Sequence, residues 1–379
     1  MKVRASVLWK IGAERPYAQS RPLATEHLDL EGPRAGEVLL AVRAAGLCHS
    51  DLSAVDGVRP ASRTPLPIIL GHEAVGEVLE TGSGVEDLRP GDRVVTTFVP
   101  SCGHCVPCME GRPALCEPAP AYSGAGTLAT GGTRFSLKGE RVHHYVGVAA
   151  FAEMTVMARP SLVKIDPEVP VEAAALFGCA VLTGVGAVLN TARLKAGESA
   201  AIIGLGGVGL SALLGAKLAG ASHLVAIDLH ADKLALAAEL GASLTVNAAD
   251  PDCVARVRDA TRGGVDFAFE MAGARGAMDI AYRVTRRGGT TVIGGLPAGD
   301  VQLPIGHASM VGEERTLKGS YFGSCVPVRD IPRLIALYRA GRLPVDRIAG
   351  EAVALEDLNG AFDRLADGKA LRQVLIPAS

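Results

Sequence analysis

One glycine-rich turn constrains this chain more than any other feature. Gly204-Leu205-Gly206-Gly207-Val208-Gly209 follows the apolar run Ala200–Ile203 and opens the helical stretch Val208–Leu218. A G-x-G-x-x-G match alone is weak, but between a strand and a helix it has a physical reading. Gly204 permits the tight turn, Gly206 lets backbone approach a pyrophosphate, and Gly209 lets helix and strand pack closely. The free N–H groups of the helix N-terminus then face an anion. The alternation continues downstream. Leu224–Asp228 reads as a strand, Asp232–Leu240 as a helix capped by Asp232 or a neighbour and stopped by Gly241. Val265–Glu270 and Thr290–Ile293 read as further strands. This pattern predicts an α/β, doubly wound, parallel sheet of the Rossmann type. Asp228 ends the second strand 19 residues after Gly209, placed for ribose hydroxyls and hostile to a 2′-phosphate, so NAD is expected over NADP. Lys233 follows one turn later. The plain alternative for Asp228 is a helix cap.

The part before residue 160 differs. It is β-rich, with strands at Val38–Ala44 and Gly76–Leu79 and a turn at Arg89-Pro90-Gly91-Asp92. The tail predicts helices near Val328–Ala340 and Leu355–Ala366 and a closing strand at Gln373–Ile376. Two stretches without charge, Ala173–Ala192 and Ser199–Ala216, are long enough to span a bilayer. The second carries the glycine fingerprint and the first carries Cys179, Thr183 and Asn190, so both read as buried α/β elements, and no membrane is expected. Lys2, Arg4 and Lys10 interrupt any signal-peptide core, which favours a cytoplasmic location. A net charge of −2 and the lack of a long basic run argue against nucleic acid as a partner.

Eight cysteines in a chain of 379 residues without an export signal point to metal rather than disulfides. Cys102-Gly-His-Cys105-Val-Pro-Cys108 and then Cys116 offer four thiolates at short spacings, enough to close tetrahedrally around one structural zinc. An iron–sulfur cluster is the alternative for such a set. His104 lies inside the run and is surplus. Cys253 and Cys325 fit no ligand set.

Together these motifs resemble the zinc-dependent medium-chain alcohol dehydrogenases. The resemblance rests on Gly71-His72-Glu73-Ala74-Val75-Gly76, on Cys48-His49-Ser50-Asp51, on the four-cysteine lobe, on Gly204–Gly209 and on Val265-Asp266-Phe267-Ala268-Phe269-Glu270, all in order along the chain. It implies a β-rich, GroES-like catalytic domain of residues 1–180 and 322–379 around a Rossmann domain of residues 181–321. It implies a second, catalytic zinc on Cys48, His72 and Cys179, hence two zinc ions per chain. Glu73 is similar to a family glutamate that approaches the metal transiently, and Asp51 to the carboxylate that orients the ligand histidine. Ser50 would take the alcohol proton. Thr183, Val208 and Leu296 would lie beside the nicotinamide, and Gly207 within the phosphate loop. Arg372 resembles a pyrophosphate contact, and His49 stands where some members carry an arginine against the same group. A mostly neutral histidine grips phosphate less firmly, so NADH is expected to bind more weakly than in arginine members.

Phe98, Val146, Leu296 and Tyr321 are the expected lining of the substrate channel. Their apolar character suggests a primary alcohol or aldehyde with an apolar or aromatic body. Departures from the family also show. The relay position usually held by a histidine is Ser53, which lacks an accessible basic pKa, so either water or another histidine ends the relay, and one that depends on solvent is expected. No arginine follows Cys116, which argues against a glutathione adduct as substrate. The loop Gly57–Pro65 is longer than in class I members, and Arg59 or Arg63 could favour an acidic substrate unless they are simply solvated. The long segment Tyr122–Gly147 is similar to the class I and class III forms and implies a homodimer. Two rivals remain open at this stage: a nicotinoprotein with tightly held NADH, and a non-catalytic binding protein on the same scaffold.

Overall fold

The computed structural model describes residues 1–58, 64–297, 299, 301–302 and 305–377. The chain divides into two compact units. The first comprises Met1–Cys179, Val326–Ile335 and Val345–Ser379, and the second Ala180–Cys325 and Ala336–Pro344.

The first unit is built on β1 (Lys2–Leu8), β2 (Leu23–Leu30), β3 (Glu37–Gly46), β4 (Ile68–Ile69), β5 (Ala74–Thr81), β6 (Arg93–Thr96), β7 (Phe135–Leu137), β8 (Glu140–His144), β9 (Met154–Ala158) and β10 (Leu162–Ile165). β1, β2, β7, β8 and β4 close into a barrel. β3 is the hub of the second sheet, pairing antiparallel with both β5 and β9. Its apolar residues on both faces explain this: Val38, Leu39, Leu40, Val42, Ala44 and Ala45 are all buried. The turn read at Arg89–Asp92 is present, with Gly91 at a φ of 90°.

The second unit has β11 (Ala200–Ile203), β12 (Leu224–Asp228), β13 (Leu244–Asn247), β14 (Val265–Glu270), β15 (Thr285–Ile293) and β16 (Thr316–Gly319). They form one parallel sheet in the order β13-β12-β11-β14-β15-β16, the doubly wound arrangement. β11, β12 and β14 coincide with the strands read from sequence, because buried parallel strands are short apolar runs. β15 starts five residues earlier than expected, at Thr285, since its first part pairs only at Val265 before the ladder resumes at Phe267. The helix Ala231–Leu240 has His230, not Asp232, at its N-cap. Asp232 sits in the first turn, where a carboxylate still favours the helix dipole. Two short strands, β17 (Ala352–Val353) and β18 (Val374–Leu375), complete the sheet of the first unit on β3. The tail helix read at Leu355–Ala366 opens as a 3₁₀ turn, Leu355–Asp357, before the α-helix Leu358–Ala366.

The two uncharged stretches are broken up as expected of a buried α/β chain. The first becomes the helices Val171–Leu176 and Ala180–Gly186 and a π turn, Ala187–Ala192. The second becomes β11 and the start of the helix Gly207–Ala219. Among the described residues no helix is long and apolar enough to cross a membrane.

The first unit also contains a buried ion pair that sequence reading did not single out. Arg134 Nε donates to Glu37 Oε2 at 2.8 Å, and its Nη2 meets Oε1 of the same carboxylate. Thr130 Oγ1 adds a bond to Glu37 at 2.5 Å, and the Arg34 N–H another at 2.9 Å. Burial alone would raise the Glu37 carboxyl, but the bonds from Arg134, Thr130 and Arg34 outweigh it and lower it. The Arg134 N–H donates to His144 Nε2 at 3.1 Å, and burial pushes His144 down to about 3, so its ring stays neutral. Removing one partner leaves the other charge buried and uncompensated. Arg134→Met should therefore cost about 3–5 kcal/mol, read as a fall in the urea unfolding midpoint, with part of the loss recovered in Glu37→Gln/Arg134→Met. An unchanged midpoint for the single variant would contradict this account of the pair.

Candidate functional site

In the first unit, three separate segments deliver four donors to one point. Cys48 is the N-cap of the helix His49–Val55, in extended backbone. His72 follows β4 through Gly71, whose φ is 85°. A Cβ at Gly71 would lie 2.6 Å from Phe151 Cδ1 and 2.8 Å from the Phe151 backbone N, so only glycine brings the chain this close. Cys179 follows the helix Val171–Leu176 through Gly178, where a Cβ would lie 2.4 Å from the Thr96 carbonyl oxygen. Glu73 comes next to His72 and leads into β5. The donor atoms of Cys48, His72, Glu73 and Cys179 all lie within 4.8 Å of one another, and all four residues are buried.

Asp51 ties these segments together. It is fully buried. Its Oδ2 accepts the Cys48 N–H at 3.2 Å, and its Oδ1 accepts the Gly71 N–H at 3.1 Å and pairs with His72 Nδ1 at 3.0 Å. With Nδ1 committed to the carboxylate, Nε2 is the nitrogen left for a metal. Burial opposes a charged His72, but the Asp51 carboxylate and the Cys48 sulfur outweigh it and raise the imidazole to about 9. The Cys48 thiol is held well below its ordinary value by its bond with Cys179, against burial, and by the charges of Arg372 and His72. A low thiol beside a high imidazole describes a pocket organised for a positive charge between its donors.

Glu73 also meets a charge of its own. Its Oε2 is ion-paired with Arg372 Nη2, and both side chains are buried. The route is topological: β18 pairs with the end of β3 at Gly46, and the Gly46 N–H donates to the Glu73 carbonyl at 2.7 Å. Arg372, expected on a pyrophosphate, thus lies 3% exposed against Glu73. That leaves two thiolates and one imidazole, a set that fits zinc with one position open.

The His72 ring is boxed by aromatic edges, Phe98 at 5.4 Å between centroids and Tyr145 at 5.9 Å. Val146, also expected in the channel, is buried beside Tyr145. Ser50 is half-buried, and its carbonyl accepts the Tyr145 hydroxyl at 2.8 Å. His49 is exposed. Ser53 Oγ donates to the His49 carbonyl at 2.8 Å, so its proton is already bound to backbone. Tyr145 lies within the long segment Tyr122–Gly147, and its hydroxyl contact, across 95 residues, has no local signal.

The other cysteine set also closes up. The sulfurs of Cys102, Cys105, Cys108 and Cys116 lie within 4.8 Å of one another. The Cys105 N–H donates to Cys102 Sγ at 3.3 Å and the Cys102 N–H to Cys116 Sγ at 3.2 Å. His104 Nδ1 pairs with the Cys102 carbonyl at 2.8 Å, outside the sulfur cluster. Four thiolates with no place for a fifth ligand fit a closed, structural zinc.

In the second unit the three fingerprint glycines differ in what surrounds them. Gly204 has a φ of 89°, and a Cβ there would lie 2.9 Å from the Ala272 N. A Cβ at Gly209 would lie 1.8 Å from the Gly204 oxygen. At Gly206 a Cβ would meet nothing within 4 Å. Gly207 and Val208 open the helix Gly207–Ala219. Asp228 Oδ2 accepts the Leu205 N–H at 2.6 Å, and its Oδ1 the His230 N–H at 3.0 Å, so the carboxylate steadies the glycine turn itself. Lys233 is buried on the helix that follows β12, and Thr183 is buried on the helix Ala180–Gly186. Leu296 and Tyr321 are exposed residues of this unit. Arg59 and Arg63 lie outside the described residues.

Comparison with known proteins decides the family. Residues 34–167 match the alcohol dehydrogenase GroES-like domain, and residues 207–340 match the zinc-binding dehydrogenase family. The crystal structure of an alcohol dehydrogenase zinc-binding domain protein from Burkholderia ambifaria is 34% identical over 100% of both chains, with a TM-score of 0.92. The chain belongs to the zinc-dependent medium-chain alcohol dehydrogenase family. Among its members, the benzyl alcohol dehydrogenase from Acinetobacter calcoaceticus is 30% identical over 100% of both chains, with a TM-score of 0.91. A zinc-binding dehydrogenase from Sinorhizobium meliloti, solved bound to NADP, is 26% identical over 100% of both chains, with a TM-score of 0.79. The first unit is therefore GroES-like and the second Rossmann-like.

The glycine geometry predicts a separation of effects. Gly206→Ala should leave the melting temperature unchanged and weaken dinucleotide binding about tenfold, about 1.4 kcal/mol, by crowding the approach to the turn. Gly209→Ala should lower the melting temperature, since its Cβ has no room. Wild-type dinucleotide affinity in a well-folded Gly206→Ala protein would contradict this reading of the turn.

Proposed function

We propose that this protein is an NAD-linked alcohol dehydrogenase that interconverts a primary alcohol of apolar or aromatic body and its aldehyde, with two zinc ions per chain. The observation that carries the reading is the buried set Cys48, His72 and Cys179, its histidine oriented by Asp51. A non-catalytic scaffold would have no need to keep a three-donor set with an open fourth position beside a complete structural site. When bound, zinc supplies Lewis-acid activation of an alcohol oxygen, and nicotinamide supplies the hydride acceptor. The Cys48 and Cys179 sulfurs and His72 Nε2 would hold the metal. Asp51 keeps His72 in the tautomer that does so. The Ser50 hydroxyl accepts the alcohol proton. Ser53 cannot pass it on, because its own proton is bound to the His49 carbonyl, so the proton leaves to water.

Phe98 and Val146 give the site an apolar edge, and the benzyl alcohol dehydrogenase relative supports an aromatic alcohol as the first substrate to try. Asp228 supports NAD, because a 2′-phosphate would meet a carboxylate at the end of β12. The relative bound to NADP makes that choice the one to test in parallel. We further propose a homodimer in the cytoplasm, on the likeness of Tyr122–Gly147 to the longer family members. The lack of an arginine after Cys116 argues against a glutathione adduct as substrate.

The test is absorbance at the NADH band. Zinc-replete protein given benzyl alcohol should raise the signal with NAD and little with NADP. Signal with NADP alone would overturn the reading of Asp228, and none with either would overturn free exchange of NAD and favour a nicotinoprotein. In the same assay across pH, Ser53→His should raise turnover at low pH, where loss of the proton limits the rate. An unchanged profile would count against release through solvent.

A further inference from the structure

We propose that Tyr145 is a positioning residue for proton transfer, acting through its hydroxyl on the backbone of Ser50. The inference rests on the role of Ser50 given above. Tyr145 is 2% exposed, and its hydroxyl donates to the Ser50 carbonyl at 2.8 Å. Ser50 lies in the first turn of the helix His49–Val55, between Cys48, which caps that helix, and Asp51. The hydroxyl therefore grips the Ser50–Asp51 peptide, within the short stretch between one metal donor and the carboxylate that orients another. The edge of the same ring packs against His72. One side chain thus touches both the proton acceptor's backbone and a metal donor, and it comes from a segment distant in sequence from each.

The segment that carries Tyr145 is built to hold it still. On one side is His144, buried, with its Nε2 taken by the Arg134 N–H and its ring 4.9 Å from Phe135. On the other side is Val146, a β-branched residue in left-handed backbone at a φ of 46°. Such residues rarely adopt that conformation, and it persists only where the surroundings determine it. Ala149 repeats the left-handed backbone at a φ of 56°, and Thr155 Oγ1 holds the Val148 carbonyl at 2.8 Å. A turn that tolerates this strain next to the site fixes where the Tyr145 ring points. Phenylalanine would fill the same space and pack on His72 alike, but it could not hold the Ser50 carbonyl.

A double-mutant cycle tests this on the zinc-loaded enzyme with benzyl alcohol and NAD. Tyr145→Phe should lower kcat between about three- and tenfold, the loss expected of one hydrogen bond expressed in the chemical step, and should raise the solvent deuterium isotope effect on kcat. Zinc content and NADH affinity should stay at wild-type values. In a Ser50→Ala background the same change should have no further effect, because the group it positions is gone. An equal loss in both backgrounds, or a lower melting temperature with an unaltered isotope effect, would overturn the proposal and make Tyr145 a packing residue only. A wild-type kcat for Ser50→Ala alone would instead remove the role of Ser50, and the proposal with it.

Discussion

The three hydrogen bonds accepted by Asp51 are the constraint on which the metal pocket depends. Its carboxylate joins Cys48 at the start of one helix, Gly71 at the end of β4 and the ring of His72, from a position with no exposure to solvent. A carboxylate buried without such partners would be costly. Here the partners are the segments that must converge, so satisfying the charge and assembling the donors are one event. Gly71 and Gly178 make room for the convergence, each at a point where a Cβ would collide with backbone.

Around that joint the first unit uses buried charge twice more. Glu73 and Arg372 neutralise each other beside Cys48, and the arginine also helps hold the thiol low. Glu37 and Arg134 tie β3 to the segment between Gly131 and β7, which leads on through His144 to Tyr145. Buried pairs of this kind are weak sources of net stability but strong determinants of which arrangement is reached. In the second unit Asp228 does similar work on a smaller scale, bonding the Leu205 N–H of the turn that its own carboxylate faces.

What could be read from sequence was what local chemistry determines. β11, β12 and β14 are short apolar runs bounded by turn residues, and their limits coincide with the structure. The four-cysteine lobe is contiguous, and so is the glycine turn. The set of Cys48, His72 and Cys179 came from resemblance, since single buried cysteines carry no signature of their own. Less local features were missed. Nothing in the sequence pairs Glu73 with Arg372, because the contact needs β18 to return to the end of β3. The Arg134–Glu37 pair and the Tyr145 hydroxyl contact are of the same kind. The helix after β12 starts at Ala231, one residue before Asp232, and its cap is the neighbouring His230, whose N–H is held by Asp228.

The central claim is that the chain holds two zinc ions in different donor sets, and zinc X-ray absorption of the metal-replete protein tests it most directly. Two ions, one on four sulfurs and one on two sulfurs, a nitrogen and a water oxygen in the exchangeable position, predict an average shell of about three sulfurs near 2.3 Å and about one lighter donor near 2.0–2.1 Å per zinc. A shell of four sulfurs with no lighter donor would mean that only the lobe at Cys102–Cys116 binds metal, and would contradict the account.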